Sequence, residues 1–592
     1  MNRFLKTFSI LIITGCSAIK ENKKATIDLN GVFEQYAKES YRLNPLSATA
    51  NNVNDYNDQL AINIGEEWIQ KAILLNNRYL DTLKKINYPA LTENDQRSVD
   101  VLRYQLSIQN EGLVNHYGNY RPVNQFVFSF PQRFAVLGSG AGNIPFQTEK
   151  DYYNFISRMK LFQVWIDQAI INMQAGLESG DTNPRASMEK VPAQLKTLYE
   201  TEVEKNLFYK PLLSLPAGMD TSAKSKLITE YTAAINAYII PAYKKLNQFL
   251  ETTYIPRTRN SSGLFDNRNG KKEYSYLLKV YTTTDITPDE VFDLGLREVA
   301  RIRKEMDSIK TLTGFKGNLQ SFFQFIKTDQ KFFPFTTEEE VLNRYRSFEA
   351  KMEPHLKKLF NLRPQSRFEV RATEKFREEA ANAQYVPPAR DGQRPGIFYE
   401  TVREAAKYNY FEMETLFLHE AIPGHHYQLA IQQEADIPEF RKKYINSAFA
   451  EGWGLYAESL GTALGMFKDH YQYMGRLNNE MERAVRLVVD AGIHHKGWTR
   501  EQAIKYVLEN QPVTELVATQ RIERYMVTAG QAVSYKVGEL KIIELRKKAE
   551  KTLGPAFDIR EFHDQVLQDG CLPLSNLESK INKWIESKSR KH

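Results

Sequence analysis

Apolar residues recur at the three-to-four-residue spacing of an amphipathic helix through most of this 592-residue chain. The pattern is clearest over 61–86, 151–177 and 227–252, and each segment is long enough for several helical turns. Turn-rich segments separate these runs, and helical spacing returns from residue 410 to the C-terminus. The sequence therefore predicts a mainly α protein built around one large helical body.

Residues 366–402 interrupt the helical pattern. Segments 368–371 and 396–399 have the composition of short strands, and the first alternates apolar and polar residues. A proline pair at 387–388 and the turn-rich run 390–395 lie between them. We expect a small antiparallel sheet next to the histidine-rich helix described below. Such a sheet either offers an edge strand to an extended peptide or only covers the core, and both interpretations stay open.

The first 28 residues have the pattern of a bacterial lipoprotein leader. Basic residues precede a short apolar run, and the small residues before Cys16 resemble a lipobox. The apolar run is too short to span a bilayer. We predict a signal peptide over 1–15, lipidation of Cys16, and a polar tether over 16–28 that holds the protein on a membrane of the cell envelope, periplasmic or surface-exposed. A cleaved signal with an incidental cysteine is the alternative.

No linker rich in Pro, Gly or Ser divides the remaining chain, so we predict one helical domain over 29–592. Within it we distinguish an N-terminal helical part, 29–365, from a C-terminal part, 366–592, which contains the motifs described below. The 79 basic and 72 acidic residues are interspersed, and we therefore expect no nucleic-acid partner. Cys571 is the only cysteine besides Cys16, which predicts a small buried core residue rather than a disulfide framework. The oligomeric state is not indicated.

The ten residues HEAIPGHHYQ, 419–428, come close to a zinc-peptidase signature. In that signature two histidines one helical turn apart bind Zn²⁺, and the glutamate after the first activates a water. Here His425 and His426 follow His419 by six and seven residues. On a straight helix the seventh residue lies about 10 Å away and the sixth roughly a third of a turn off the same face. We therefore predict that the helix breaks at the Pro-Gly pair, 423–424, and that His425, or alternatively His426, turns back towards His419.

A third ligand is expected from the following segment, FAEGWGLYAE. We predict that His419, His425 and Glu451 bind one zinc ion, and that Glu420 is the general base. Glu458 lies seven residues after Glu451, on the same helical face, and is expected to hold the other ring nitrogen of a ligand histidine. The Gly, Trp and Ala residues around the two acids indicate burial, and a buried acid needs a partner. The alternative is that both acids are solvated.

These two motifs together resemble the bacterial domain-of-unknown-function 885 family. That family is itself similar to the helical zinc peptidases of the thimet oligopeptidase and angiotensin-converting enzyme type. Segments 281–285, 295–302, 394–399 and 523–538 extend the resemblance over most of the mature chain. It implies a zinc-peptidase-like helical body and a C-terminal tyrosine, here Tyr535, that stabilises the tetrahedral oxyanion.

Three further side chains are candidates for substrate binding. Arg524 and Lys536 can pair with a substrate carboxylate, the arginine bidentately. A structural salt bridge is the alternative for each. His426, the second choice for the metal ligand, is assigned to substrate binding.

The sequence thus predicts a lipid-anchored zinc peptidase that hydrolyses short peptides through a water deprotonated by Glu420. One alternative is a metal-dependent hydrolase of another amide or ester, because the same chemistry serves several carbonyl substrates. The other is a catalytically inactive peptide-binding lipoprotein. Zinc uptake and the substrates turned over distinguish the three.

Overall fold

The computed structural model describes residues 28–375, 382–389 and 392–590, and these residues form a mainly α structure, as predicted. The predicted signal peptide, Cys16 and the tether up to residue 27 lie outside the described residues. The helices that precede the sheet are Leu29–Leu43 (α1), Pro45–Ala50 (α2), Glu66–Lys84 (α3), Glu93–Val114 (α4), Phe130–Gly138 (α5), Glu149–Ser179 (α6), Arg185–Met188 (α7), Val191–Lys196 (α8), Thr221–Ala234 (α9), Ile240–Phe249 (α10), Gly270–Thr282 (α11), Pro288–Leu312 (α12), Leu319–Thr328 (α13) and Glu338–Leu359 (α14). Those that follow it are Met413–Glu420 (α15), His425–Glu434 (α16), Glu439–Lys443 (α17), Ser447–Ser459 (α18), His470–His494 (α19), Arg500–Asn510 (α20), Glu515–Val527 (α21), Ser534–Leu553 (α22), Ile559–Leu567 (α23) and Leu574–Ser589 (α24).

The sheet has three strands, Phe368–Ala372 (β1), Gln384–Val386 (β2) and Gly396–Glu400 (β3), in the order β1-β3-β2. The prediction of an antiparallel pair is wrong for the two strands that the sequence indicated: β1 and β3 are parallel. The intervening residues 373–395 are long enough for the crossover that parallel strands need. They contain β2, which pairs antiparallel with β3 and forms one edge of the sheet.

A close helix crossing positions the site. Helices α18 and α22 approach each other at Gly452 and Gly538. A Cβ added to Gly452 would lie 2.6 Å from the Cα of Gly538, and one added to Gly538 would lie 1.9 Å from the carbonyl oxygen of Ala448. Any side chain at either position would separate the helices, so the two glycines allow the start of α22 to lie beside the acidic residues of α18.

The apolar core around these helices combines both predicted parts of the chain. Tyr274 and Tyr345, from before residue 365, share one buried cluster with Phe417 and Trp453. Cys571 belongs to the same cluster and is fully buried, as predicted. Burial raises the pKa of its thiol to about 12, so it is a core residue rather than a reactive thiol.

None of the described helices is both long enough and apolar enough to cross a membrane.

Candidate metal centre

The predicted break in the histidine-rich helix is confirmed. Helix α15 ends at Glu420 and α16 begins at His425. The four residues between them form a tight loop that contains a cis Ile422–Pro423 peptide bond. The loop replaces the straight helix on which two histidines at this spacing could not meet.

Two contacts hold this loop in place. A Cβ on Gly424 would lie only 1.9 Å from the carbonyl oxygen of His419, so the backbone passes too close for any residue with a side chain. On the other side, the indole Nε1 of Trp453 donates a hydrogen bond to the carbonyl oxygen of Pro423 at 2.9 Å. Helix α18 therefore anchors the loop that reverses the chain.

The loop turns His425, rather than His426, towards His419. The ring centres of His419 and His425 are 4.8 Å apart, and their planes are nearly perpendicular. The His426 Nδ1 lies 2.8 Å from the hydroxyl of Tyr385, and its ring packs against Phe368. Burial lowers the pKa of His426 to about 4, so this imidazole is neutral near pH 7. The geometry therefore favours His425 over His426 as the second metal ligand.

Glu451 of α18 adds a third donor to the two rings. Its Oε2 lies 3.4 Å from Nε2 of His419 and 3.7 Å from Nε2 of His425. Two atoms bound to a tetrahedral zinc ion at about 2.0–2.1 Å are roughly 3.3 Å from each other. Donor type and spacing therefore both fit a zinc ion bound by Nε2 of each histidine and Oε2 of Glu451.

The other side of His419 is fixed by a buried carboxylate. Its Nδ1 lies 2.8 Å from Oε1 of Glu458, and Glu458 is only 2% exposed. Gly454 makes room for the ring, because a Cβ there would lie 2.6–2.9 Å from three of its atoms. A carboxylate on the second nitrogen is the usual partner of a histidine that binds zinc, since it sets the tautomer and the ring orientation.

The charges of this cluster favour a cation. Burial opposes charge on His419, but Glu451 and Glu458 outweigh it and raise the pKa of His419 to about 10. Burial also opposes charge on Glu451, but the hydrogen bond from His419 and electrostatic attraction to the histidines hold its pKa at about 2. Burial and the charge of His419 lower the pKa of His425. Two carboxylates thus surround one charged imidazole, which leaves a net negative charge.

Glu420 lies next to the same cluster. Its Oε2 accepts a hydrogen bond from the backbone N–H of Tyr385 on β2 at 3.1 Å. One donor atom from each of His419, Glu420 and His425 lies within 4.8 Å of the other two. Glu420 is therefore a second carboxylate within reach of an ion. Glu451 is nearer to both imidazoles, at 3.4 and 3.7 Å, so we assign Glu451 as the ligand and leave Glu420 to act on a water.

Tyr535 lies at the start of α22, beside α18. Burial and the charge of Glu451 raise its pKa, so the phenol stays protonated and can donate a hydrogen bond. Two arginines of α19 face its ring: the guanidinium carbon of Arg486 is 4.7 Å from the ring centre and that of Arg483 is 6.0 Å away. The sequence analysis missed both arginines. Their three-residue spacing, which places them on one helical face, was the available signal.

Two of the predicted substrate-binding residues lie apart from this cluster. Lys536 is fully buried, and its ammonium pairs with Glu480 and Glu539 at 2.7 Å each and with Glu298 at 3.2 Å. These contacts correspond to the structural alternative, because no donor remains for a substrate carboxylate. Arg524 is exposed on α21, and no described side-chain contact joins it to the metal-centre residues.

Comparison with known proteins finds one matching family model and similar solved structures. The family model for "Bacterial protein of unknown function (DUF885)" matches residues 45–581. The crystal structure of "the putative lipoprotein from Colwellia psychrerythraea" is similar over 94% of this chain and 99% of that chain, with 27% identity and a TM-score of 0.82. A second structure, "a putative lipoprotein of unknown function from Shewanella oneidensis", has the same fold over 93% and 99% of the two chains, with 18% identity and a TM-score of 0.72. No curated protein matches the chain.

Proposed function

This chain belongs to DUF885, a family of bacterial proteins of unknown function, and we propose that it is a zinc-dependent peptidase of the cell envelope that hydrolyses short peptides. The observation that carries the proposal is the convergence of His419, His425 and Glu451 at separations that suit one zinc ion. Glu420 belongs to the same cluster as the two histidines, and the charge of Glu451 raises the pKa of Tyr535; these two residues are the candidates for the general base and the oxyanion donor.

A zinc ion at these three residues would supply a Lewis acid that polarises a carbonyl and makes a nearby water more acidic. The protein residues have separate tasks. Glu458 keeps the ring of His419 oriented by accepting the proton on its Nδ1. The loop held by Trp453 keeps His425 facing the same point.

Glu420 carries the proton transfers. Its Oε2 is engaged by the backbone N–H of Tyr385, and its Oε1 has no partner in the described ranges. We assign Oε1 to take the proton from the attacking water and to deliver it to the leaving nitrogen. Tyr535, which stays protonated because its pKa is raised, donates its hydroxyl hydrogen to the oxygen that becomes negative.

The cell-envelope location rests on Cys16 and on the names of the two similar solved proteins, both described as lipoproteins. Acylation of Cys16 would hold the catalytic body at a membrane surface through the polar tether. Mass spectrometry of the N-terminal peptide and membrane fractionation of a Cys16→Ala variant test this part independently of the enzymatic part.

The central experiment combines metal analysis with hydrolysis of a short-peptide library. We expect one zinc per chain and peptide cleavage. Glu420→Gln should keep the zinc and lose at least about 100-fold in rate, the usual scale for a general base. Glu178→Gln, which makes the same change at an exposed site on α6, is the matched control.

Three outcomes would replace the proposal. Unchanged turnover in Glu420→Gln excludes the assigned base. Failure to take up zinc at micromolar metal favours an inactive peptide-binding lipoprotein. Turnover of esters or non-peptide amides, with no cleavage in the peptide library, indicates a hydrolase of another substrate class.

A further inference from the structure

A group of arginines lies next to the proposed catalytic tyrosine. Arg483 and Arg486 come from α19 and flank the ring of Tyr535 at 6.0 and 4.7 Å. Arg521 of α21 joins them through Glu482, whose Oε2 it contacts at 2.9 Å. Arg483 also lies near enough to Glu451 to contribute to the low pKa of that carboxyl. The group therefore lies against the ring of Tyr535, and Arg483 is its member that acts on the charge of Glu451.

The charges of this group are not balanced. Glu482 is the carboxylate that pairs with all three guanidinium groups: directly with Arg486, at 2.9 Å with Arg521 and at 3.9 Å with Arg483. Three positive charges thus share one negative charge. Glu412, a second acid nearby, is half-buried and accepts a hydrogen bond from the side-chain amide of Asn478, and burial raises its pKa.

The two arginines next to Tyr535 also keep unused donors. The Nε atoms of Arg483 and Arg486 are buried and have no hydrogen-bond partner among the described residues. The other contacts of Arg483 are from its Nη1 to the carbonyl and side-chain oxygens of Asn479. Buried guanidinium N–H groups without an acceptor are costly, and a planar anion is the partner that their geometry suits best.

We propose that Arg483 and Arg486 bind the free C-terminal carboxylate of the peptide substrate. This inference rests on the proposed peptidase function and narrows it to cleavage close to the C-terminus. An extended residue spans roughly 3.3–3.6 Å, and both guanidinium carbons lie within 6.0 Å of the Tyr535 ring centre. A carboxylate held there is one or two residues from a carbonyl at the Tyr535 hydroxyl. The enzyme therefore releases single C-terminal residues or dipeptides.

The arginines that carry this role differ from the residues expected from the sequence. Lys536 follows Tyr535 in the chain but points into a buried cluster of acids. Arg524 lies one turn after Arg521 on α21 but is exposed. The carboxylate site is formed by α19 instead, because this helix packs against the start of α22 and faces the ring of Tyr535.

The test uses one peptide in two forms, acetyl-tetraalanine with a free C-terminal carboxylate and the same peptide with a C-terminal amide. The zinc-loaded wild-type protein should cleave the acid with a kcat/KM about 10- to 100-fold higher than the amide, the range for hydrogen bonds to a charged group. Arg483→Gln should lower kcat/KM for the acid but not for the amide, so that the two kcat/KM values become similar. Arg303→Gln, which removes a guanidinium from the exposed face of α12, should keep the wild-type ratio.

Arg483→Gln is the decisive variant because Arg483 makes only a loose contact with Glu482. Arg486→Gln breaks a buried ion pair and can fail to fold, so Arg486→Lys is used at that position. It keeps the charge but loses the planar fork, and the acid-to-amide ratio should fall between those of the wild type and Arg483→Gln. Equal cleavage of acid and amide by the wild type, or an unchanged ratio in Arg483→Gln, overturns the inference.

A binding measurement separates this inference from the proposed function. Titration calorimetry of the Glu420→Gln protein should show tighter binding of the acid than of the amide, and Arg483→Gln in that background should remove the difference. If the wild type cleaves neither peptide but this binding difference is present, the carboxylate site stands and the peptidase proposal fails. If the wild type cleaves both equally and no difference in binding is found, the peptidase stands and the carboxylate site fails.

Discussion

The substitution Gly454→Ala tests the metal centre with a single methyl group. In the native protein Gly454 lies against the imidazole of His419, and an added Cβ would be 2.6 Å from its Cε1, 2.8 Å from Nε2 and 2.9 Å from Nδ1. Ordinary contacts begin at 3.4 Å, so the ring must move by about 0.8 Å. Ligand distances in a metal site tolerate only about ±0.2 Å. The displaced ring can no longer satisfy Glu458 and the ion together.

We expect zinc affinity to fall about 10- to 100-fold, the range for changes that misorient a ligand histidine, which corresponds to roughly 1.4–2.7 kcal/mol. Stability should change less, because alanine favours a helix interior by about 1 kcal/mol over glycine. Competition with a chromophoric chelator measures the affinity, and thermal unfolding of the zinc-free proteins measures the stability.

Two other glycines provide controls for this experiment. An added Cβ at Gly218 meets nothing within 4 Å, so Gly218→Ala should match the wild type in both measurements. At Gly452 it would meet the backbone of Gly538 at 2.6 Å, and Gly452→Ala should lose stability through the helix crossing. A Gly454→Ala protein that binds zinc as tightly as a zinc-binding wild type would refute the steric argument. If the wild type itself takes up no zinc, the centre as a whole is refuted.

Three further substitutions probe the surroundings of the site. Lys536→Met should lower the free energy of unfolding, measured in urea, by about 3–5 kcal/mol, because it leaves buried carboxylates uncompensated. If the variant is as stable as the wild type but binds substrate more weakly, Lys536 binds the substrate carboxylate, as the sequence had suggested. Trp453→Phe removes the N–H that holds the carbonyl of Pro423 and should cost about 1–2 kcal/mol and weaken zinc binding; an unchanged affinity for the metal would mean that the loop keeps its shape without the indole. Asp490 accepts a hydrogen bond from Tyr274, and burial raises its pKa from 3.8 to about 7. The folded protein therefore holds this proton where the unfolded chain has released it, so stability falls as the pH rises from 3.8 to about 7 and then levels off. Asp490→Asn should flatten this part of the urea-unfolding profile of the zinc-free protein, and parallel profiles for the two proteins would contradict the assignment.

Much of the fold could be predicted because the relevant signals are local. Helical spacing of apolar residues predicted the mainly α structure, and the short strand-like segments predicted a sheet at the correct place. The pairing of that sheet could not be predicted, since the direction in which β3 lies beside β1 is not encoded in either strand segment alone. The third strand, β2, was missed because it is three residues long and is followed by prolines.

Local sequence shows which residue types are available to a metal. It also predicts a break in the histidine helix near Pro423, because on a straight helix two histidines at this spacing cannot share one ion. Contacts between distant segments determine that His425 rather than His426 faces His419, because Trp453 anchors the loop and Tyr385 engages the second histidine. Such contacts also bury Lys536 and bring α19 arginines to Tyr535. These choices depend on contacts between residues distant in the chain, and local spacing carries no information about them.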